Sequence, residues 1–345
     1  MIFMVKLRAH GQNDLRMKNV IIQAIGLLAF ARCALAWDYE GHRLVNQLAL
    51  ASLPTNFPAF VKEAAAAERI AFLAGEPDRW RNTTELTLKH FNNPDHYFDF
   101  EDLAPCGVKL ETLTQFRYEF AGQVAVARAT NPTNFPPIDL AKDAERTKAL
   151  IGYLPWTIAE YYGKLKSAFS YLKAFEEGGT PEEIQNARDN IIYIMGCMGH
   201  FVGDGSQPLH TTIHYNGWVG ENPQGYSTNR TFHGWIDGGF IARAGLKPDR
   251  VMPKVRTATL LDTNVFPGVV KYLHAQHVLV VPLYELEKDH KLAVQKPSTE
   301  GIEFIHGQLL KAGQMLGDLW YTAWHYAPPD NYLRGQLARR KLANQ

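Results

Sequence analysis

The chain has 345 residues, 46% of them hydrophobic and 21% charged, with 36 Lys+Arg against 35 Asp+Glu. That length allows one large domain or two small ones. The near-balance of charge excludes a protein that grips duplex nucleic acid through a basic surface alone, so any anionic ligand must be drawn by a local site.

Residues 1–36 read as a secretion signal, with a basic start at Lys18, an apolar run from Val20 to Phe30 and the small-residue cleavage pattern Ala34-Leu35-Ala36. Met17 is an alternative start. The apolar run is too short to span a bilayer, and Arg32 in front of Cys33 argues against a lipid anchor there. No later stretch is long and apolar enough to span a membrane. The expected product is a secreted or periplasmic monomer without a membrane anchor, beginning at Trp37.

Helical periodicity dominates the rest and strand signals are sparse. "GHRLVNQLALASL" (41–53) is an amphipathic helix. Pro155 opens a second that glycines stop at 178–179. Thr180 is the N-cap of a third, with Pro181 at its first position and acidic residues in its first turn. Residues 267–290 and 298–326 read as two further long helices. The expected fold class is all-α: one multi-helix domain over 37–330 with long loops around a cleft, then a polar tail, 331–345, that frays. Cys106 and Cys197 either pair in an oxidising compartment or remain two free buried thiols. Asn82 and Asn229 sit in glycosylation sequons that a bacterial-type leader makes idle.

Side chains able to hold a metal recur at helical spacing. "HFVGDGSQPLH" supplies His200, Asp204 and His210, and "HGWID" supplies His233 and Asp237. His200 and Asp204 are four apart and share a helix face, as do His233 and Asp237. Gly203, Gly205 and Pro208 break the first helix, which lets His210 turn back. One such pair is usually a surface pair or a core hydrogen bond. Two pairs and a third histidine across a glycine-rich break point to metal, because imidazole and carboxylate are zinc ligands. His42, Asp78 and His96 lie upstream. Cleavage after Ala36 would add the amine and carbonyl oxygen of Trp37, since a metal readily displaces the proton of an amine with a pKa near ~8. The indole would then anchor the new terminus.

"WDYEGH", "DRWR", "HYFD", "HFVGDGSQPLH" and "HGWID", taken together and in this order, resemble the trinuclear-zinc nucleases of the nuclease S-one/P-one type. That family shares a superfamily with bacterial zinc phospholipase C. The resemblance covers Trp37 to about residue 240. It implies an all-α domain holding three Zn2+ ions at the bottom of a cleft. Trp37, His42 and Asp204 would hold one ion. Asp78, His96, His200 and the bridging Asp204 would hold the second, and His210, His233 and Asp237 the third. The implied chemistry is metal-assisted phosphodiester hydrolysis, with Asp78 orienting the attacking water and Arg81 meeting the phosphate. Tyr97 and Asp99 match the positions that stack on and hydrogen-bond a nucleobase, so the implied substrate is single-stranded DNA or RNA, cut to 5′-phosphate ends.

The closeness of Trp37 to His42, and aspartate at position 237 where the phospholipases use glutamate, favour the nuclease branch. The phospholipase branch, acting on phospholipid head-group esters, is the alternative. A metal-stabilised secreted binding protein without catalysis is a third reading. The chain departs from the nuclease pattern at Ser206, where a histidine is common, and in "HYNGWVGENPQGY", which lacks a recognisable base-pocket stretch. It also carries a long insert between His96 and His200.

Overall fold

Residues 37–343, apart from 245–247 and 294, are described by a computed structural model, and every regular element among them is helical. Strand-like pairing is confined to isolated bridges, Phe98 with Gly152 and Tyr215 with Gly217. The all-α expectation therefore holds. The expected leader, 1–36, lies outside the described residues. Among those described, no helix is long and apolar enough to cross a membrane.

The chain enters α1 (Tyr39–Ser52) through Asp38, whose carboxylate accepts the Glu40 N–H at 3.2 Å. Three short helices follow, α2 (Ala64–Leu73), α3 (Glu76–Arg81) and α4 (Leu86–Asn92), and then α5 (Arg117–Thr130). α6 (Leu154–Gly178) carries Pro155 in its first turn, where a missing N–H costs no helical hydrogen bond. α7 (Pro181–Asp204) starts with a reciprocal cap. Thr180 Oγ1 accepts the Glu183 N–H at 3.3 Å, and Glu183 Oε2 accepts the Thr180 N–H at 2.8 Å.

The segment 267–290, expected as one helix, is two: α8 (Phe266–His277) and α9 (Val280–Lys288). Pro282 explains the break. It has no N–H to donate, and its ring would meet the Val278 carbonyl in a continuous helix. α10 (Thr299–His325) is capped by Ser298, whose hydroxyl accepts the Gly301 N–H at 3.0 Å.

The C-terminal half of α7 is buried on all sides, from Met195 to Asp204, and α6, α2, α1 and α10 pack around it. Its glycines set how close the neighbours come. Gly196, Gly199 and Gly203 follow one another at spacings of three and four, on one side of the helix. A methyl group on Gly199 would sit 1.6 Å from Asn46 Oδ1, and one on Gly203 would sit 2.7 Å from His42 Nδ1. Asn46 exploits that closeness. Its Nδ2 donates to the Ile70 carbonyl at 2.7 Å and the Gly196 carbonyl at 3.1 Å, joining α1 to α2 and α7.

One expectation changes, and of the two readings of the cysteines the free-thiol one holds. The polar tail does not fray over its described part: it forms α11 (Asn331–Ala343). Leu337 is buried against Gly178 at the end of α6, and burial of a leucine contributes about 1.5–3 kcal/mol. The exposed pairs Arg334–Glu177 and Arg340–Glu183 add little to that. Cys106 and Cys197 form no disulfide; both are free and buried. They lie in different surroundings, Cys106 near Asp102 and Arg128, Cys197 beside Tyr193 in α7. Burial pushes the Cys197 thiol up to about 12, which keeps it unreactive.

Gly199→Ala is expected to destabilise the fold by about 2–3 kcal/mol through overpacking. Gly163→Ala, in α6, places its methyl where nothing lies within 4 Å and should stabilise by about 0.5–1 kcal/mol. Urea midpoints of the two variants check the contrast.

Candidate metal centre

Five separate pieces of chain meet at the end of α7. The helix itself brings His200 and Asp204. α1 brings His42, α3 brings Asp78 and Arg81, and the 3-10 turn Asn93–His96 brings His96. Beyond α7, the turn Pro208–Thr211 brings back His210. His233 and Asp237 come from a helical run made of Phe232–Gly234, the π-helical Trp235–Phe240 and Ile241–Ala244. A π-turn inside a helix is rare and often marks a functional site. His42, His96, His200, Asp204 and Asp237 are fully buried, and Asp78 and His210 nearly so.

The donors fall into three groups: His42, Asp78 and His200; His96, His200 and Asp204; His210, His233 and Asp237. Within each, one ligand atom per residue lies within 4.8 Å of the others. Asp204 Oδ2 lies 2.9 Å from His96 Nδ1, 3.4 Å from His200 Nε2 and 4.0 Å from His210 Nδ1, and its Oδ1 is 3.4 Å from His42 Nε2. His200 Nε2 is 3.8 Å from Asp78 Oδ1. In the third group His233 Nε2 lies 2.8 Å from Asp237 Oδ2 and 3.0 Å from His210 Nε2. The third grouping is the expected one. His42 was expected with Asp204 and Trp37; it lies beside Asp204 and also groups with Asp78 and His200.

These donors fit a metal. Ligand atoms about 2.1 Å from a tetrahedral ion stand ~3.4 Å apart, and the donor distances here, 2.8 to 4.0 Å, bracket that value. His200 Nδ1 donates to the Ala74 carbonyl at 2.7 Å, which leaves Nε2 bare on the neutral ring. His210 Nδ1 donates to the His96 carbonyl at 2.6 Å, baring its Nε2 in the same way. Both nitrogens of His42, His96 Nε2 and Asp204 Oδ1 are buried without a hydrogen-bond partner. Orphaned polar atoms are costly in a core, and a cation would satisfy them. The buried His/Asp clusters could therefore bind metal ions.

Electrostatics keep the donors in ligating form. Burial, and then the nearby charges of His200 for His42 and Arg81 for His96, pull these two rings below the ordinary histidine value, His96 to about 3. Burial takes His210 down to about 4. His200 goes the other way: Asp204 and Asp78 outweigh its burial and raise it. Burial raises Asp78, but Arg81, His200 and His96 more than reverse it. For Asp204, His200 and His210 likewise overcome burial and hold the carboxyl well below the usual range.

Further residues hold the donors in place. The Trp37 indole is fully buried, as the anchor reading expected, and its Nε1 donates to the Gly203 carbonyl at 2.8 Å and to Ser206 Oγ at 3.0 Å. Ser206, a departure from the family pattern, thus receives the indole. The Asp38 N–H donates to the Asp237 carbonyl at 3.0 Å, so residues 37 and 38 are tied to both halves of the site. Gln207 was missed altogether. Its Oε1 accepts the Leu209 N–H at 2.9 Å, capping the turn that carries His210, and its Nε2 donates to Asp237 Oδ1 at 2.6 Å. Its position just before Pro208, where an N-cap belongs, was the available signal.

Arg81 Nε lies 2.8 Å from Asp78 Oδ1. Tyr97 and Asp99 flank Phe98 on a short extended stretch. The Phe98 N–H donates to the His210 carbonyl at 2.9 Å, and the Asp99 N–H to the Ile151 carbonyl at 2.9 Å. Phe98 points into the core, and its neighbours point the other way, each half-buried. Gly152, with φ +93°, makes room: a methyl there would lie 2.0 Å from the Tyr97 carbonyl oxygen. Burial and the charges of Asp102 and Glu101 raise Asp99 well above the ordinary carboxyl value.

No protein-family model matches the chain, and no curated protein matches it.

The metal-free protein is expected to lose stability in mild acid. Its unfolded chain takes up protons on histidine near ~6.5, while folding holds His42, His96 and His210 unprotonated. Their contribution is complete above that pH and falls as pH drops towards about 4 and about 3, the values of His210 and His96. His200 opposes them, one ring against three. A urea midpoint in chelator that does not fall between pH 7 and pH 5 would contradict this assignment.

Proposed function

We propose that this site is a multi-zinc centre, of three ions, that hydrolyses phosphodiesters, and that its substrate is single-stranded nucleic acid cut to 5′-phosphate products. The observation that carries the reading is the gathering of five histidines and three aspartates, all buried but the half-buried His233, with unpartnered donor atoms among them. Bound there, zinc ions would supply Lewis acidity to the phosphoryl group and to water. Three divalent ions carry twice the charge that Asp78, Asp204 and Asp237 can cancel, so the cleft floor attracts anions although the chain as a whole is near neutral.

The protein's own groups do the rest. Asp78, held ionised by Arg81, His200 and His96, orients the attacking water and accepts its proton. Arg81 spends Nε on Asp78 and has its terminal nitrogens left to meet charge building on phosphorus. Once the leader is removed, the Trp37 amine and carbonyl add a chelating pair, and the seated indole and the Asp38–Asp237 bond support this by fixing that stretch of backbone. Tyr97 offers a face on which an unpaired base stacks. Asp99, whose carboxyl is raised well above the ordinary value by burial, hydrogen-bonds that base.

A second reading, hydrolysis of phospholipid head-group esters, has one observation in its favour. α4, which joins Asp78 and Arg81 to His96, exposes Leu86 (52%), Leu88 (38%) and Phe91 (64%). Its lysine is neutralised, Lys89 Nζ lying 2.9 Å from Glu145 Oε1. An apolar prominence without a free cation suits a lipid surface better than a nucleic-acid strand.

Parallel incubation with single-stranded DNA, RNA and phosphatidylcholine vesicles, with and without chelator, tests both. Chelator-sensitive release of 5′-phosphorylated nucleotides is expected. Phosphocholine release without nucleotide release would move the assignment to the second reading, and turnover of none of the three would end both. Asp204→Asn should lose bound zinc and slow turnover by about 100-fold or more. Tyr97→Ala should raise KM for nucleic acid by roughly 5- to 100-fold, the equivalent of one lost stacking contact, and leave a small aryl phosphodiester unaffected.

A further inference from the structure

We propose that a groove between α2 and α7, remote from the metal centre, binds a phosphorylated ligand bearing an aromatic ring, of the nucleoside monophosphate class. The cavity measures about 570 Å3 and is lined by Phe60, Arg69, Gln185, Arg188, Asn190 and Tyr193 among others. That volume is in the range of small-molecule sites, ~300–1000 Å3. Along α7 the groove residues, Gln185 to Tyr193, precede His200 by about 22 to 10 Å at ~1.5 Å of rise per residue, so the two sites do not merge.

The cations in the groove are under-used. No carboxylate among the described residues forms an ion pair with Arg69, whose guanidinium lies 5.5 Å from the Phe72 ring centre. Arg188 reaches its nearest carboxylate, Glu176, only at 3.6 Å, and its guanidinium lies over Phe60 at 5.4 Å. The Nε–H of Arg188 is buried without a partner. A guanidinium presents a planar fork of donors that matches phosphate oxygens, and the Arg188 side chain is 36% exposed, so its terminal nitrogens can be reached from the groove. The groove also holds two acids, Glu63 and Asp189. Asp189 is engaged by Gln185 Nε2 at 2.9 Å, and Glu63 stands at the start of α2.

The rest of the lining selects for more than an anion. Tyr193 is 42% exposed, and its ring offers a stacking surface at the groove. Asn190 supplies both an amide donor and an acceptor for a polar ring edge.

Calorimetric titration of the full-length, zinc-supplemented protein tests this with AMP, inorganic phosphate and adenosine as separate probes. Wild type should bind one more equivalent of AMP than the Arg69→Gln/Arg188→Gln variant, whatever the metal centre itself retains. At that extra site AMP should bind at least about tenfold more tightly than phosphate or adenosine. Tyr193→Leu, a milder change, should weaken AMP at the groove by a similar factor and leave phosphate unchanged. Equal equivalents in wild type and the double variant would overturn the proposal, as would phosphate or adenosine binding as tightly as AMP. Because the readout is a difference between variants, loss of phosphodiester turnover leaves it intact, and turnover of the small aryl phosphodiester should be the same in all of them.

Discussion

A carboxylate sealed inside a helical bundle is the constraint on which the site depends. Asp204 is fully buried, and an unpaired charge in that position would be prohibitively costly. Four imidazoles stand around it, at 2.9 to 4.0 Å. For all four to arrive, α1, the turn before Tyr97 and the turn after α7 must close on the same helix end. Gly199 and Gly203 permit the approach of α1, because a methyl group on either would occupy space that Asn46 or His42 takes. Packing and electrostatics therefore fix each other: the small residues let the rings in, and the rings make the buried charge tolerable.

Much of the architecture was legible because its signals are local. The capping box at Thr180, the proline in the first turn of α6 and the glycines at its end act over three or four residues, and the helices begin and end beside them. The split at 278–279 was missed because apolar periodicity runs through it, and the effect of Pro282 on the Val278 carbonyl is a steric detail that periodicity does not carry. The helical tail was missed for the opposite reason. α11 is rich in polar residues, and only one of its residues, Leu337, is buried.

The donor set was legible from type and spacing, but its grouping was not. His200 with Asp204 and His233 with Asp237 are four-residue pairs, visible in one dimension. The pairing of His42 with Asp78 depends on how α1 and α3 meet across α7, which spacing does not encode. The supporting residues were harder still. Gln207 and the Ala74 carbonyl act through single hydrogen bonds to donors, and an amide or a backbone oxygen has no sequence signature of its own. Ser206 read as a deviation when compared with a pattern; its hydroxyl has a partner in the Trp37 indole.

Gln207 has a further mechanical meaning. One side chain grips the turn that bears His210 through its amide oxygen and the carboxylate of Asp237 through its amide nitrogen. It works as a strut across the base of the long excursion between them. The strut sets the separation of the two ligand-bearing pieces, so the excursion itself carries no positional duty. That loop is free to lengthen, shorten or change composition, and with it the outer wall of the cleft, while the donors beneath stay where they are.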